Sequence, residues 1–317
     1  MRLALAGDTM LGRGVAEALT ERDPTALVAP EVVALAQEAD LFVLNLECCI
    51  SERGRQWPAA GKPFFFRAPP RATELLVLLG VRCVTLANNH ALDFGEEALL
   101  DTFDHLTASG IAWVGAGHDL ERARAPVVLE AGGERVGVFA FSDHPKDFAA
   151  AQGRPGIAWA DLRAGFPGWA SEALRALDTD VVVASPHWGP NMNDRPLRYV
   201  REAAAELRRA GATLVAGHSA HVVQGVEGRV LYDLGDFLDD YRVDTRLRND
   251  LGLLFLVEVQ QGEPKRLEAT PLKLEHCFTR IADGDDAAWI RLRFRALCSE
   301  LGTEAVESDG RVVIDWT

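Results

Sequence analysis

No stretch of this chain approaches the ~20 consecutive apolar residues needed to cross a bilayer, so nothing in it reads as a spanning or anchoring segment. The apolar start, Met1 to Ala6, is broken by Asp8 too early to be the core of a signal peptide. These absences predict a soluble, cytoplasmic protein. Positive charge is also scarce: 33 Lys and Arg against 47 Asp and Glu leave a formal net charge of −14, which disfavours nucleic acid and anionic membrane surfaces as partners. The five cysteines (Cys48, Cys49, Cys83, Cys277, Cys298) are odd in number and lack the spacing of a zinc ribbon or disulfide framework, so they read as reduced, mostly buried thiols. Internal repeats and low-complexity segments are missing as well.

With 317 residues, 48% hydrophobic and 25% charged, the chain can bury a substantial core in one large domain or two small ones. Apolar strands alternate with helical segments, which points to α/β architecture. Strands are expected over residues 3–6, 41–44, 83–86, 111–114, 127–129, 135–141, 181–185, 213–216, 222–226 and 229–233, with an antiparallel pair at 253–259 and 267–273. Apolar residues recurring three and four apart predict helices over 71–79, 96–109, 196–210 and 287–301. Gly132-Gly133 and Glu227-Gly228 read as hairpin turns. The mixture suggests two packed mixed sheets covered by helices. Residues 51–70 form one long irregular stretch rich in Gly, Pro and aromatics, of the kind that builds binding loops; Lys62, Phe64, Phe65, Phe66 and Arg67 in it are candidates to shape a substrate pocket.

Five short segments end predicted strands with side chains able to bind metal: Gly7-Asp8, Asn45-Leu46-Glu47, Asn88-Asn89-His90, His187-Trp188-Gly189 and the run from Gly217 to His221. Ligands in open α/β sheets gather at the carboxyl ends of the strands, so parallel strands would bring these groups together in a metal site.

In order and character these segments, with Thr9 to Arg13, Ala91-Leu92-Asp93 and Tyr232 to Phe237, resemble the CapA (poly-γ-glutamate capsule synthesis) family of the calcineurin-like metallophosphoesterase superfamily, over about three quarters of the chain. The resemblance implies an α/β fold, a four-layer α/β/β/α sandwich with a metal centre at the sheet rim. It places that domain over residues 1–282, with 283–317 adding a C-terminal helix and strand packed on it. It also implies that Asp8 is the first-strand metal ligand and that Asn45 or Glu47 takes the place of the bridging carboxylate. Asn89 then corresponds to the carboxamide ligand, His187, His218 and His221 to imidazole ligands, and His90 to the acid beside the metals. One or two divalent ions, Mn, Zn or Fe, suit such ligands.

Departures from the superfamily pattern shape the functional expectation. Met10 stands where a first-strand histidine is usual, so one metal position is depleted. His221 follows His218 by three positions instead of two, and Asp236 replaces the family's asparagine, adding a carboxylate near the rim. Asp8, His90, Asp236 and His276 are the candidate proton-transfer groups; Arg13, Lys62, Phe65, Arg67 and Trp188 are the candidate substrate-binding residues, with Arg195 a further cation. His105, His118 and His144 match no motif and read as surface or loop residues, Asp239-Asp240 and Asp244 as a solvated acidic loop, and Cys48-Cys49 as packing. The expectation is a metal-dependent enzyme acting on a peptide or small carboxylate substrate, by epimerisation or amide hydrolysis; the resemblance includes a branch that inverts the C-terminal residue of a lasso peptide. A phosphoester hydrolase and a capsule synthesis or binding protein are the alternatives.

Overall fold

The computed structural model describes residues 1–58 and 61–316. Ala59 and Ala60, inside the expected loop 51–70, and Thr317, at the end of the expected C-terminal segment, lie outside the described residues.

Two mixed sheets carry the fold. The larger has ten strands, and at its centre strand Arg2–Thr9 runs parallel to Leu41–Leu46, which is followed outward by Val81–Thr85 and Ala112–Val114, all parallel. On its other side Arg2–Thr9 pairs antiparallel with Leu251–Gln260, and beyond this come Glu263–Glu275, Arg311–Asp315 and Val306–Ser308. The second sheet has six strands, with Val181–His187 parallel to both Glu134–Ser142 and Leu214–Ala216.

Strand alternation explains the layering. Leu3 and Leu5 face the same core as Val181 and Val183, the layer between the sheets, whereas Ala4 and Ala6 join Val15, Val32, Leu75 and Leu99 from helices on the outer face. Val182 and Ala184 point the other way, onto Ala203 and Leu207 of helix Arg198–Arg209. Successive side chains in a strand leave on opposite faces, so strands apolar at every position must be covered twice. The result is the expected four-layer α/β/β/α sandwich. Helix Gly284–Glu300 inserts Ile290, Phe294 and Cys298 into the core between the sheets, with the Phe294 ring 5.7 Å from Phe255.

Most expected elements form within a few residues of their predicted ends. The strand expected over 222–226 does not; it is reduced to a bridge at Val223 and the two residues Val226–Glu227, because this segment turns around the site before it pairs. Gly132 and Gly133, both at positive φ, close the hairpin between Val127–Ala131 and Glu134–Ser142 as predicted. All five cysteines are free and buried.

Candidate metal centre

The expected ligands converge because their strands end together. Asp8 is the penultimate residue of Arg2–Thr9, Glu47 follows Leu41–Leu46, His187 ends Val181–His187, and His218 and His221 follow Leu214–Ala216. Asp236 opens the short strand Asp236–Leu238 and lies in register with Asp8. This approach needs Gly7, since a Cβ there would meet the Gly235 carbonyl oxygen at 1.8 Å. Within the second sheet, a parallel bridge between His187 and His218 carries the pairing of Val181–His187 with Leu214–Ala216 on to the rim. Ser219 and His221 hold positive φ (111° and 57°), backbone strain of the kind that collects at functional sites.

Two triads share Asp8. Ligand atoms of Asp8, Glu47 and His187 lie within 4.8 Å of one another, and so do those of Asp8, His221 and Asp236. All of these residues are buried. Three of them present polar atoms without a hydrogen-bond partner, namely both oxygens of Glu47, both ring nitrogens of His187 and Asp236 Oδ2, as does Oδ1 of the half-buried Asn89; His218 Nδ1 lies 3.1 Å from Asp8 Oδ1. Each buried polar group left unpaired costs ~1–3 kcal/mol, so a cluster of them marks a place arranged for a ligand other than the protein itself. The donor set, carboxylates, imidazoles and a carboxamide, fits a divalent cation.

The electrostatics agree. Burial pushes the Glu47 carboxyl well above the usual carboxylate range, and burial with Asp239 and Asp8 nearby does the same to Asp236. Asp8 goes the other way: against the burial penalty, the imidazoles of His218, His221 and His187 hold its carboxyl well below the ordinary value. Burial drives His187 well below the usual imidazole range, which keeps its nitrogens neutral and able to coordinate. For His221 burial is outweighed by Glu47 and Asp8, which raise it.

His90 forms the adjoining wall. Its Nδ1 contacts Asp93 Oδ2 at 2.6 Å, and Nε2 points toward Glu47 Oε1 at 3.9 Å. Asp93 also accepts the Phe66 backbone N–H (2.6 Å) and pairs with Lys62 (2.6 Å). Phe66 stacks on the His90 ring at 4.0 Å. The long loop is therefore pinned to the site through Asp93. Burial lowers the His90 pKa to about 4, even with Asp93 beside it.

The model of the bacterial capsule synthesis protein family (PGA_cap) matches residues 2–241. A probable polyglutamine synthesis accessory protein of Mycobacterium tuberculosis is 30% identical over 95% of this chain and 92% of its own length. The chain belongs to this capsule synthesis family. The PGA biosynthesis protein CapA of Bacillus subtilis is 27% identical, covering 98% of this chain and 80% of its own. Among solved structures, one described as a novel phosphatase from Mycoplasma pneumoniae superposes with a TM-score of 0.52 at 13% identity, over 86% of this chain and 93% of that one. A hypothetical protein from Thermus thermophilus gives 0.51 at 16%, over 86% and 99%. These likenesses show the fold, that of the metallophosphoesterases.

Several expected roles need correction within this family frame. Asn45 is spent on the scaffold: its Nδ2 donates to Asp8 Oδ1 (2.8 Å), and its Oδ1 accepts from Thr85 (2.9 Å) and Asn88 (3.0 Å), which leaves Glu47 as the free carboxylate of the pair. Met10 turns its buried side chain to the core and accepts the Gly12 N–H at 3.1 Å. Trp188 is buried with its Nε1 donating to the Tyr232 carbonyl (2.9 Å), so its ring is used in packing the scaffold. Lys62 is held by Asp93 and the Asn89 carbonyl, and Arg67 turns away to the Phe94 ring. Phe65 leans toward Lys62, whereas its neighbours Phe64 and Phe66 line the hollow in front of His90. Arg13 lines that hollow as expected. Arg195 pairs with Asp194 and Glu300. His276 is exposed in the turn between Glu263–Glu275 and Phe278–Ile281 and takes no part in the cluster's hydrogen bonds.

Other residues were underestimated by sequence reasoning. Asp239 and Asp240 are not a solvated pair: Asp239 is 6% exposed, with its pKa pushed by burial to about 6, and the Asp240 carboxylate accepts from Arg13 Nε (3.1 Å). His144 is no bystander, since its ring lies 5.3 Å from His187 and its Nδ1 meets Asp143. Asp233 accepts the backbone N–H groups of Ala220 (2.8 Å) and Gly235 (2.9 Å), fixing the segment that carries His221. The three-residue spacing of His90 and Asp93 is the sequence feature from which the dyad could be found.

Proposed function

We propose that this chain is a metal-dependent enzyme of the capsule synthesis family that acts on a peptide or amide substrate by acid/base chemistry. The observation that carries the proposal is the group of buried, unpartnered ligand atoms around Asp8, next to the His90–Asp93 dyad. Asp8, Glu47, Asn89, His187, His218, His221 and Asp236 would hold one or two cations, Mn, Zn or Fe. When bound, such a cation polarises a carbonyl and lowers the pKa of coordinated water.

The chain's own residues supply the proton transfer. At neutral pH the buried His90 is uncharged. With Nδ1–H directed at the Asp93 carboxylate, its Nε2 lone pair faces the space in front of Glu47, where it can take a proton from water or from a carbon beside a carbonyl. Phe66 covers one face of the imidazole and keeps water from it. Asp93, fixed by Lys62 and the Phe66 N–H, sets the tautomer and stabilises the imidazolium that forms. In hydrolysis the same proton would pass to the leaving amine; in epimerisation His90 would take the α-proton and a solvent proton would be delivered to the α-carbon from the other face. The relatives' printed names refer to polyglutamine and PGA, both amide-linked chains, which supports an amide over an ester. A cytoplasmic setting belongs to the same reading; no described helix is long and apolar enough to cross a membrane.

Phosphoester hydrolysis is the second reading, favoured by the two triads that share Asp8. Incubating metal-loaded protein in D2O with a peptide amide and, separately, an aryl phosphate tests both. Cleavage or α-deuterium incorporation supports the proposal and tells hydrolysis from epimerisation; phosphate release alone moves the assignment to the second reading.

A further inference from the structure

Only a few large apolar side chains are exposed among the described residues, and three of these, Phe64 (51%), Met192 (37%) and Val243 (44%), line one hollow. That hollow, about 640 Å³, opens onto His90 and His221. Clustered exposed apolar groups at a site are the ordinary mark of a ligand surface, since a soluble protein gains nothing by leaving them wet.

Its walls are flat and unsaturated. Phe64 and Phe66 stack at 6.4 Å with 13° between their planes, and Phe66 lies in turn on His90. The Arg13 guanidinium lies 5.1 Å from the Phe64 centroid, 5.4 Å from Phe66 and 5.8 Å from Tyr241. Arg13 is not free to bind an anion, because Asp240 takes its charge at 2.6 Å. With Asp240 counted against Arg13, the hollow's other charged groups, Arg242 and Asp244, are one of each sign and leave its formal charge balanced.

We infer that the residue presented to the centre carries an apolar side chain, aromatic or branched, and not the carboxylate of a glutamate. The inference rests on the peptide or amide reading above and names its substrate class. A chain of free carboxylates would bring repeated negative charge to a hollow with no net positive charge. An apolar side chain would instead cover Phe64, Met192 and Val243 and lie against the stacked plates, leaving its backbone carbonyl beside His90.

Calorimetric titration of N-acetyl-L-phenylalanine methylamide and N-acetyl-L-glutamate methylamide into metal-loaded and chelated protein tests this. The phenylalanine derivative is expected to bind at least about tenfold more tightly, the scale on which apolar pockets discriminate. Phe64→Ser and Met192→Ser, both at exposed positions where folding is not at risk, should each weaken its binding severalfold, while Leu292→Ser, at a 68% exposed position outside the hollow's lining, changes nothing. Equal or tighter binding of the glutamate derivative, insensitivity to both hollow substitutions, or no saturable binding of either ligand would overturn the inference. Metal uptake is read on the same samples: phenylalanine binding without metal uptake sinks the metal-centre reading and leaves the hollow's preference standing, and metal uptake without ligand discrimination does the reverse.

Discussion

Glu47→Met should stabilise the chelated protein and abolish its response to metal. Both Glu47 oxygens are buried and unpartnered, and Asp8, Asp236 and Asp93 add like charge around them. Relieving an unsatisfied buried group is worth ~1–3 kcal/mol, and an unbranched thioether of similar length fills the space. At roughly 2–4 °C per kcal/mol for a chain approaching this size, the melting temperature in chelator should rise by several degrees. A cation at a hundredfold excess over its Kd stabilises the wild type by ~2.7 kcal/mol, a gain the variant forgoes. Thermal unfolding in EDTA and in excess Mn or Zn should therefore show the variant ahead in chelator and that lead removed or reversed in metal. A variant that is less stable in chelator, or one that keeps the full metal response, would refute the reasoning, because Glu47 would then be a structural residue.

Asp93→Asn strands Lys62 without its counter-charge and removes the negative charge that stabilises the His90 imidazolium; turnover should fall by ~10²–10⁴ while metal content measured by mass spectrometry stays unchanged, and full turnover would remove the dyad from the mechanism. Asp239 tests the electrostatics. Its folded pKa of about 6 lies above the ordinary 3.8, so protonation favours the fold, and the stability present below about pH 4 is lost as pH rises through 6. That difference is worth ~3 kcal/mol, so Asp239→Asn in chelated protein should gain stability at pH 8 and little at pH 4 in denaturant titrations; an equal change at both would contradict the assignment. Ending the chain at residue 282 removes Ile290, Phe294, Val312 and Ile314 from the layer between the sheets, and the shortened protein should lose cooperative unfolding. A fragment with an unchanged midpoint would make the C-terminal segment separable.

The layers were legible because strands such as residues 3–6 and 181–184 are apolar at every position, and only cover on both faces satisfies them. The centre was legible because its ligands follow those runs directly. What escaped was set by tertiary closure. Asp239 and Asp240 have the composition of a solvated turn, and only the packing of Arg13 and Tyr241 over them makes them part of the wall. Phe64, Phe65 and Phe66 are equivalent in sequence, and the Phe66 N–H bond to Asp93 fixes which faces turn inward. The Asn45 amide satisfies Asp8, Thr85 and Asn88 together, an arrangement that no spacing reveals. His144 nears His187 only because Glu134–Ser142 and Val181–His187 are adjacent parallel strands.

The most direct test of the metal centre is metal content by mass spectrometry on protein purified without a histidine tag, read beside His187→Ala. The account predicts one or two equivalents of Mn, Zn or Fe per chain in the wild type, and a loss in the variant, since both His187 ring nitrogens are otherwise unpartnered. A wild type that takes up no metal even after reconstitution, or a variant that retains all of it, would contradict the account.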